Sequence, residues 1–230
     1  MSDGFIIKRG GSGGDSNAAF KALVDRSITE VTADMLQGIT TIGGGAFYEC
    51  ESLTSVEIPN SVTSIGSSAF YYCTSLTSIE IPNSVTSIGG AAFHYCSNLT
   101  SVEIPNGVTN IRTNCFCNCQ SLASVTIPNS VTSIMDSAFN SCTRLTSVTI
   151  PNCVTIIGAS AFYYCPRLTS VTVKATTPPT LFIDEYTLDG PFGYCNQLDA
   201  FYVPAESVNA YKTASIWSTY ASKIQAIPSD

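Results

Sequence analysis

The chain has 230 residues, of which 44% are apolar and only 12% charged, with a formal net charge of −7. That length suits one large domain or two small ones, and the charged share is about half that of an ordinary soluble domain. The acidic balance argues against a nucleic-acid role, which needs clustered Lys and Arg, and no run approaches the ~18 consecutive apolar residues of a membrane helix.

The first stretch, Met1 to Ser16, lacks the apolar core of a secretory signal, so both a protein made without a signal and an excised piece of a longer one remain open. Gly10-Gly11-Ser12-Gly13-Gly14 reads as a flexible linker, which makes residues 1–14 a flexible N-terminal segment. Asp15 to Val24 is expected to be a short amphipathic helix with Ser16 as its N-cap. Ile28 to Met35 follows as a degenerate coil, so that residues 15–45 form an N-terminal cap.

A repeat then takes over. Phe47, Phe70, Phe93, Phe116, Phe139 and Phe162 recur every 23 residues, and Cys50, Cys73, Cys96, Cys119, Cys142 and Cys165 keep the same step. Leu53, Leu76, Leu99, Leu122, Leu145 and Leu168 form a third such column. Several columns sharing one period identify stacked units that must bury their apolar edges against one another. In the unit Leu76 to Cys96, Ser78 to Ile81 alternates polar and apolar residues as a half-buried strand does. Pro82-Asn83-Ser84 marks a turn, and Val85 and Ile88 a short second strand. Gly89 to Cys96 reads as a single helical or 3₁₀ turn.

The repeats run over residues 46–203. The Cys165-to-Cys195 interval is 30 residues rather than 23, with the surplus placed between Ala175 and Phe192, a region that includes Asp184, Glu185 and Asp189. Residues 204–230 are expected to be a helical C-terminal cap, with helices at Ala205–Tyr211 and Ile216–Ile227 laying Val208, Tyr211, Trp217, Tyr220 and Ile224 over the last coil. Such caps protect exposed edges from pairing with other chains.

The motif A-F-x-x-C-x-x-L-T-S-V-x-I-P-N-S-V-T-S-I-G, carried by residues 39–203, resembles the BspA-type leucine-rich repeats of bacterial surface proteins. Tyr202 to Ile227 is similar to the C-terminal cap segment found in that family. The resemblance implies an α/β repeat solenoid, right-handed, with strands on the concave face and short helical turns. It implies export and use in adhesion or recognition, and it supplies no catalytic residues.

Two outward rows are the candidate binding residues. Glu57, Glu80 and Glu103, succeeded by Thr126, Thr149 and Thr172, should face out from the strands, with Ser55, Ser78 and Ser101 beside them. Carboxylates ~4.8 Å apart repel by just under ~1 kcal/mol in water-like surroundings, so a solvated acidic stripe competes with a cation site or a strip for a basic partner. Tyr48, Tyr71, Tyr72, Tyr95, Tyr163 and Tyr164 form the second row, either as cover for the Phe column or as a contact strip.

The ten cysteines point to a reduced structural ladder, because parallel side chains in a stack are poorly aimed for disulfides. Cys115, Cys117 and Cys119 are not expected to converge on a metal, and Cys117 and Cys153 are expected to be partly exposed thiols. His94 stands in an outer column, with no nucleophile and base arranged around it. Asp184, Glu185 and Asp189 lack calcium-loop spacing and read as a variable surface loop. The expected function is therefore a non-catalytic module that binds a protein or glycan, without cofactor or metal, with a monomer favoured. A structural spacer or stalk in a larger exported or phage-like protein is the alternative.

Overall fold

The computed structural model describes residues 26–185 and 190–229, together with the backbone of 19–20. Parallel strands stack into two ladders, joined coil by coil through a tight turn edge. The first ladder contains Glu30–Val31, Ser55–Val56, Ser101–Glu103, Ser124–Thr126, Ser147–Ile150, Ser170–Val173 and Ala200–Val203. The second contains Ala19–Phe20, Thr41–Ile42, Ser64–Ile65, Ser87–Ile88, Asn110–Ile111, Ser133–Ile134, Ile156–Ile157 and Thr180–Leu181. Pairing keeps the 23-residue register, as in Ser64 with Ser87 and Val148 with Val171.

The core is the set of columns that the sequence repeats. Phe47, Phe70, Phe93, Phe116, Phe139, Phe162 and Phe192 stack face to face at centroid separations of 5.1–5.4 Å. The Leu column from Leu53 to Leu168 is also wholly buried.

The turn edge differs from the expected helical turn. In the unit ending at Cys96, Ala92, His94 and Cys96 donate their N–H to Gly89, Ala91 and Phe93 of the same turn. The alternate amides of Ala91, Phe93 and Tyr95 donate to Thr113, Cys115 and Cys117 of the next coil. Ala91 and Tyr95 are left-handed, with φ of 54° and 60°, and this is what turns every second amide outward. A helix would keep all of them inside, so the segment is a chain of turns bonded to its neighbour.

One seam interrupts the stack, between the unit Leu76–Cys96 and the unit Leu99–Cys119. Both ladders part there, while the turn edge, the Thr100 N–H and hydroxyl to the Thr77 carbonyl, and the Asn98 amide to the Thr74 carbonyl carry across. Ser78–Ile81 consequently forms no full strand, only the bridge of Glu80 to Glu57 on its other side. Two substitutions coincide with the seam. At Gly66 and Gly89 an added Cβ would lie 2.4 and 2.3 Å from the backbone of the preceding coil. Arg112 fills the same column and cannot approach so closely, so its N–H does not reach the Ile88 carbonyl. Met135, stacked on Arg112, shares the offset and still donates to Ile111 at 2.8 Å. Gly107 likewise lacks the hydroxyl that Ser61, Ser84 and Ser130 donate to Ile39, Val62 and Val108. The first ladder parts once more, between Ser124–Thr126 and Ser147–Ile150, while the second stays paired there.

The ends also depart from expectation. Ala19–Phe20 pairs as a strand with Thr41–Ile42, so no helix passes through those two residues. The rest of Asp15–Val24, and the Gly-rich run, lie outside the described residues. Thr180–Leu181 extends the second ladder, which places one surplus residue before it and the other six after it. At the C-terminus Ala205–Ser207 and Trp217–Lys223 are 3₁₀ segments and Val208–Thr213 is α-helical. Ile224–Ala226 is a strand on Phe201–Val203 rather than the end of a helix. Tyr211 and Trp217 are buried there, and donate to the Ala175 and Pro179 carbonyls at 2.7 Å.

Phe93→Ala empties a fully buried site between two stacked rings, and a denaturant melt should show a loss of ~3–5 kcal/mol; a loss below ~0.5 kcal/mol counts against the ladder. Hydrogen exchange should find the Thr109 and Arg112 amides less protected than Thr132 and Met135 one coil on, and equal protection would mean the seam is closed in solution.

Candidate functional site

The turn edge determines which side chains stay inside. From Cys73 onward, each Cys thiol of the repeat column donates to a Phe carbonyl of the preceding coil, from Cys73 to Phe47 at 3.2 Å through Cys195 to Phe162 at 3.1 Å. That carbonyl already accepts the amide of its own turn, as Phe47 does from Cys50, so the thiol fills its second lone pair. All ten cysteines are free thiols, and nine are buried. Burial pushes Cys96 up to about 12, and Cys73, Cys115 and Cys142 far above their ordinary range.

Cys117 corrects the expectation of an exposed thiol. It is buried, raised to about 11 by that burial, and its sulfur accepts from Asn118 Nδ2 at 3.3 Å. Its side chain is the shortest in its column, whose longer occupants Tyr48, Tyr71, His94, Asn140 and Tyr163 are half-buried or exposed. Cys153 is exposed as expected. No group of three or more His, Cys, Asp or Glu among the described residues could hold a metal ion.

The acidic row divides in two. Glu57, Glu80 and Glu103 are all exposed, but Glu57 Oε2 accepts the Ala33 N–H at 3.1 Å. It thereby caps the 3₁₀ segment Ala33–Leu36, and its carboxylate points to the N-terminal side. Glu80 and Glu103 instead flank the seam, at a hollow of about 400 Å³ lined also by Ser78 and Ser101. Asn60 and Asn83 line the same hollow and were not singled out from sequence, although the repeated Pro-Asn pair was the available signal. Ser55 lies half-buried beside Glu57 on the far side.

The tyrosines gather into two groups. Tyr48 stacks on Tyr71 at 4.8 Å, and Tyr72 meets Tyr95 at 5.0 Å. His94 stacks on Tyr95 at 4.5 Å and sets its ring edgewise to Tyr71 at 5.1 Å. Half-burial lowers the imidazole pKa, so the ring is neutral, and Asn118 Nδ2 lies 3.4 Å from its Nε2. Burial first, then neighbouring tyrosines, raises the Tyr71 hydroxyl. Arg26 is ion-paired with Glu49 at the rim of this group.

Tyr163 and Tyr164 belong to the second group, in which Tyr163 meets Tyr194 at 5.0 Å. Tyr194 was missed in the sequence, because the seven-residue insertion displaces it from the 23-residue step. Carrying the step across as 30 would have found it. Of the loop acids, Asp184 is half-buried and Glu185 exposed, while Asp189 lies outside the described residues.

Comparison with known families agrees with this architecture. The family described as BspA type leucine rich repeat region matches in six copies, over residues 16–116, 63–199 and 109–227. The chain belongs to that family. BspA-type leucine-rich-repeat chains are in general interaction modules rather than enzymes. A leucine-rich repeat protein from Bacteroides ovatus is 25% identical, with a TM-score of 0.47 over 81% of this chain and 57% of that one. A leucine-rich repeat protein of T. pallidum is 25% identical, with a TM-score of 0.44 over 79% and 75% of the two chains. The pneumococcal vaccine antigen PcpA is 16% identical, with a TM-score of 0.42 over 87% and 66%. The chain thus spans less than two thirds of the Bacteroides ovatus protein. A search of curated proteins finds no match. Among the described residues no helix is long and apolar enough to cross a membrane.

Thiol titration offers a direct check on the ladder. An aromatic disulfide reagent should modify one thiol, Cys153, in the native protein and all ten in denaturant. Rapid modification of two or more native thiols would show that the column opens, and a melting temperature that moves with reductant would show disulfides.

Proposed function

We propose that this BspA-type chain is a non-catalytic recognition module, displayed outside the cell, that binds a protein or glycan through its outward rows. The observation that carries the reading is the division of chemistry between inside and outside. Nine of the ten thiols are buried, and the one histidine is neutral and stacked on Tyr95. The outward positions, in contrast, repeat Ser, Thr, Glu and Tyr in rows at the coil spacing.

A repeated outward row presents one contact several times over, which favours an extended partner and a broad surface over a small substrate in a pocket. Glu80 and Glu103, with Ser78 and Ser101 at the seam, form one such surface; the tyrosine edge, Tyr48 to Tyr95 and Tyr163 to Tyr164, forms the other. Display at the cell surface rests on what the family resemblance implies.

The test is a solution-binding screen of the purified protein against extracellular-matrix proteins and glycans, with and without calcium, alongside a Glu57→Gln/Glu80→Gln/Glu103→Gln variant. Binding to one class of macromolecule supports the module, and a loss of tenfold or more in the variant assigns the contact to the acidic row. If folded protein binds nothing in the screen, the recognition reading fails and a spacer within a larger protein takes its place.

A further inference from the structure

The tyrosine edge holds more aromatic surface than the fold requires. Each turn ends in a left-handed residue two positions after its Phe, occupied by Glu49, Tyr72, Tyr95, Asn118, Ser141, Tyr164 and Tyr194. Four of the seven are tyrosines, with φ between 54° and 62°. The left-handed region suits Gly and Asn, and a bulky ring is an unfavourable occupant. Backbone conformation therefore does not explain the tyrosines.

Nor does the core. Phe116 and Phe139 are flanked outside by Cys117 and Asn118, and by Asn140 and Ser141, yet they are as fully buried as Phe70 and Phe93 beneath tyrosines. Small polar residues close this edge just as well. The left-handed tyrosines are thus neither backbone formers nor a needed lid, while Tyr72, Tyr164 and Tyr194 stand 36–55% exposed. Exposed aromatic groups held on a strained backbone without a packing reason point to a ligand.

Their arrangement narrows its chemistry. Tyr71, Tyr72 and Tyr95 lie 5.0–6.1 Å apart, in contact with one another, so no cation fits between their faces as in an aromatic cage. They form a ridge. Between the two tyrosine groups lie Cys117, Asn118, Asn140 and Ser141, a lower polar stretch whose Ser141 Oγ donates to Asn140 Oδ1 at 2.7 Å. From the His94 coil to the Tyr163 coil is three steps, roughly 14 Å at the parallel-strand spacing. Along this edge the one carboxylate in these two columns, Glu49, is ion-paired with Arg26.

We propose that this edge binds an extended, uncharged oligosaccharide, whose sugar rings lie on the Tyr48–Tyr95 and Tyr163–Tyr194 groups and whose hydroxyls meet Asn118 and Asn140 between them. Pyranose rings carry apolar C–H faces and hydroxyl rims, which match rings alternating with amides along an uncharged strip. A charged polysaccharide would find no fixed charge in these two columns beyond the Glu49–Arg26 pair; the exposed Arg144 and Arg167 follow three residues after Ser141 and Tyr164. A protein partner would need a wider surface than one or two side chains per coil. This inference rests on the recognition reading above and specifies its ligand and its face.

The experiment is calorimetric titration with neutral hexasaccharides, β-1,4- and β-1,3-linked glucosides, a β-1,4-xyloside and an α-mannoside, with heparin as the anionic control. It compares the parent with Tyr72→Asn/Tyr95→Asn and with Glu206→Gln, an exposed carboxylate of the C-terminal cap. Asn already occupies the same left-handed position as Asn118, so the tyrosine variant should fold and melt at or above the parent temperature. Expected is binding of at least one neutral hexasaccharide, weakened tenfold or more in the tyrosine variant and unchanged in the glutamate variant. The proposal is overturned if no neutral sugar binds, if the tyrosine variant binds as the parent does, or if heparin alone binds. Tyrosine-dependent binding of an extracellular-matrix protein without sugar binding would overturn the glycan assignment and leave the recognition reading standing.

Discussion

The fold depends on where the amides of the turn edge go. In each turn every second N–H is satisfied internally and the others need a carbonyl from the next coil. An isolated coil would leave three donors unpaired, and burying them would cost more than its apolar contacts return. Stacking is therefore obligatory, and its register is set by hydrogen bonds as much as by apolar area. The Phe column and the Cys thiols sit on the same line, one stacking ring on ring and the other completing the Phe carbonyls.

This hierarchy explains why the seam does not divide the protein. The strand bonds are missing between the two coils where Arg112 and Gly107 stand, yet the Phe93–Phe116 stack at 5.3 Å and the Cys119 thiol to the Phe93 carbonyl continue across. The strand ladders are the tolerant side of each coil and the turn edge the intolerant one. Variation in the strands opens a hollow; variation in the Phe or Cys columns would remove the contact that sets the register. The one Cys in the hydroxyl column, Cys153, donates to Asn152 Oδ1 at 3.4 Å instead of to the preceding coil, and the second ladder beside it stays paired.

The period made the architecture legible in the sequence, because every inward column is a repeated letter. Three features were not legible for physical reasons. Eight residues with i→i+3 bonds look the same in sequence whether helical or left-handed at every fourth position, so the turn was read as a helical or 3₁₀ one and Cys117 as partly exposed. Ser78–Ile81 has a strand's alternation, but a strand exists only where a neighbouring coil pairs with it, and neither the Ser55 coil nor the Ser101 coil does so beyond the bridge of Glu80 to Glu57. Glu57 matched Glu80 and Glu103 in the repeat, yet the irregular first coil offers it the Ala33 amide. In each case the residue's own column was read correctly and its neighbour in space decided the outcome.

The same reasoning separates the two candidate surfaces. The acidic row changes to Thr126, Thr149 and Thr172 along one strand position, where the backbone is extended and any of these side chains is equally comfortable. Its composition therefore needs no energetic explanation beyond solvation. The tyrosine edge is different, because the left-handed backbone opposes the ring and the buried Phe beneath gains nothing from it. A residue that the local backbone disfavours and the core does not require points to a contact outside the fold. Among the outward rows, that asymmetry makes the turn edge, rather than the strand face, the surface where function is most sharply distinguished from architecture.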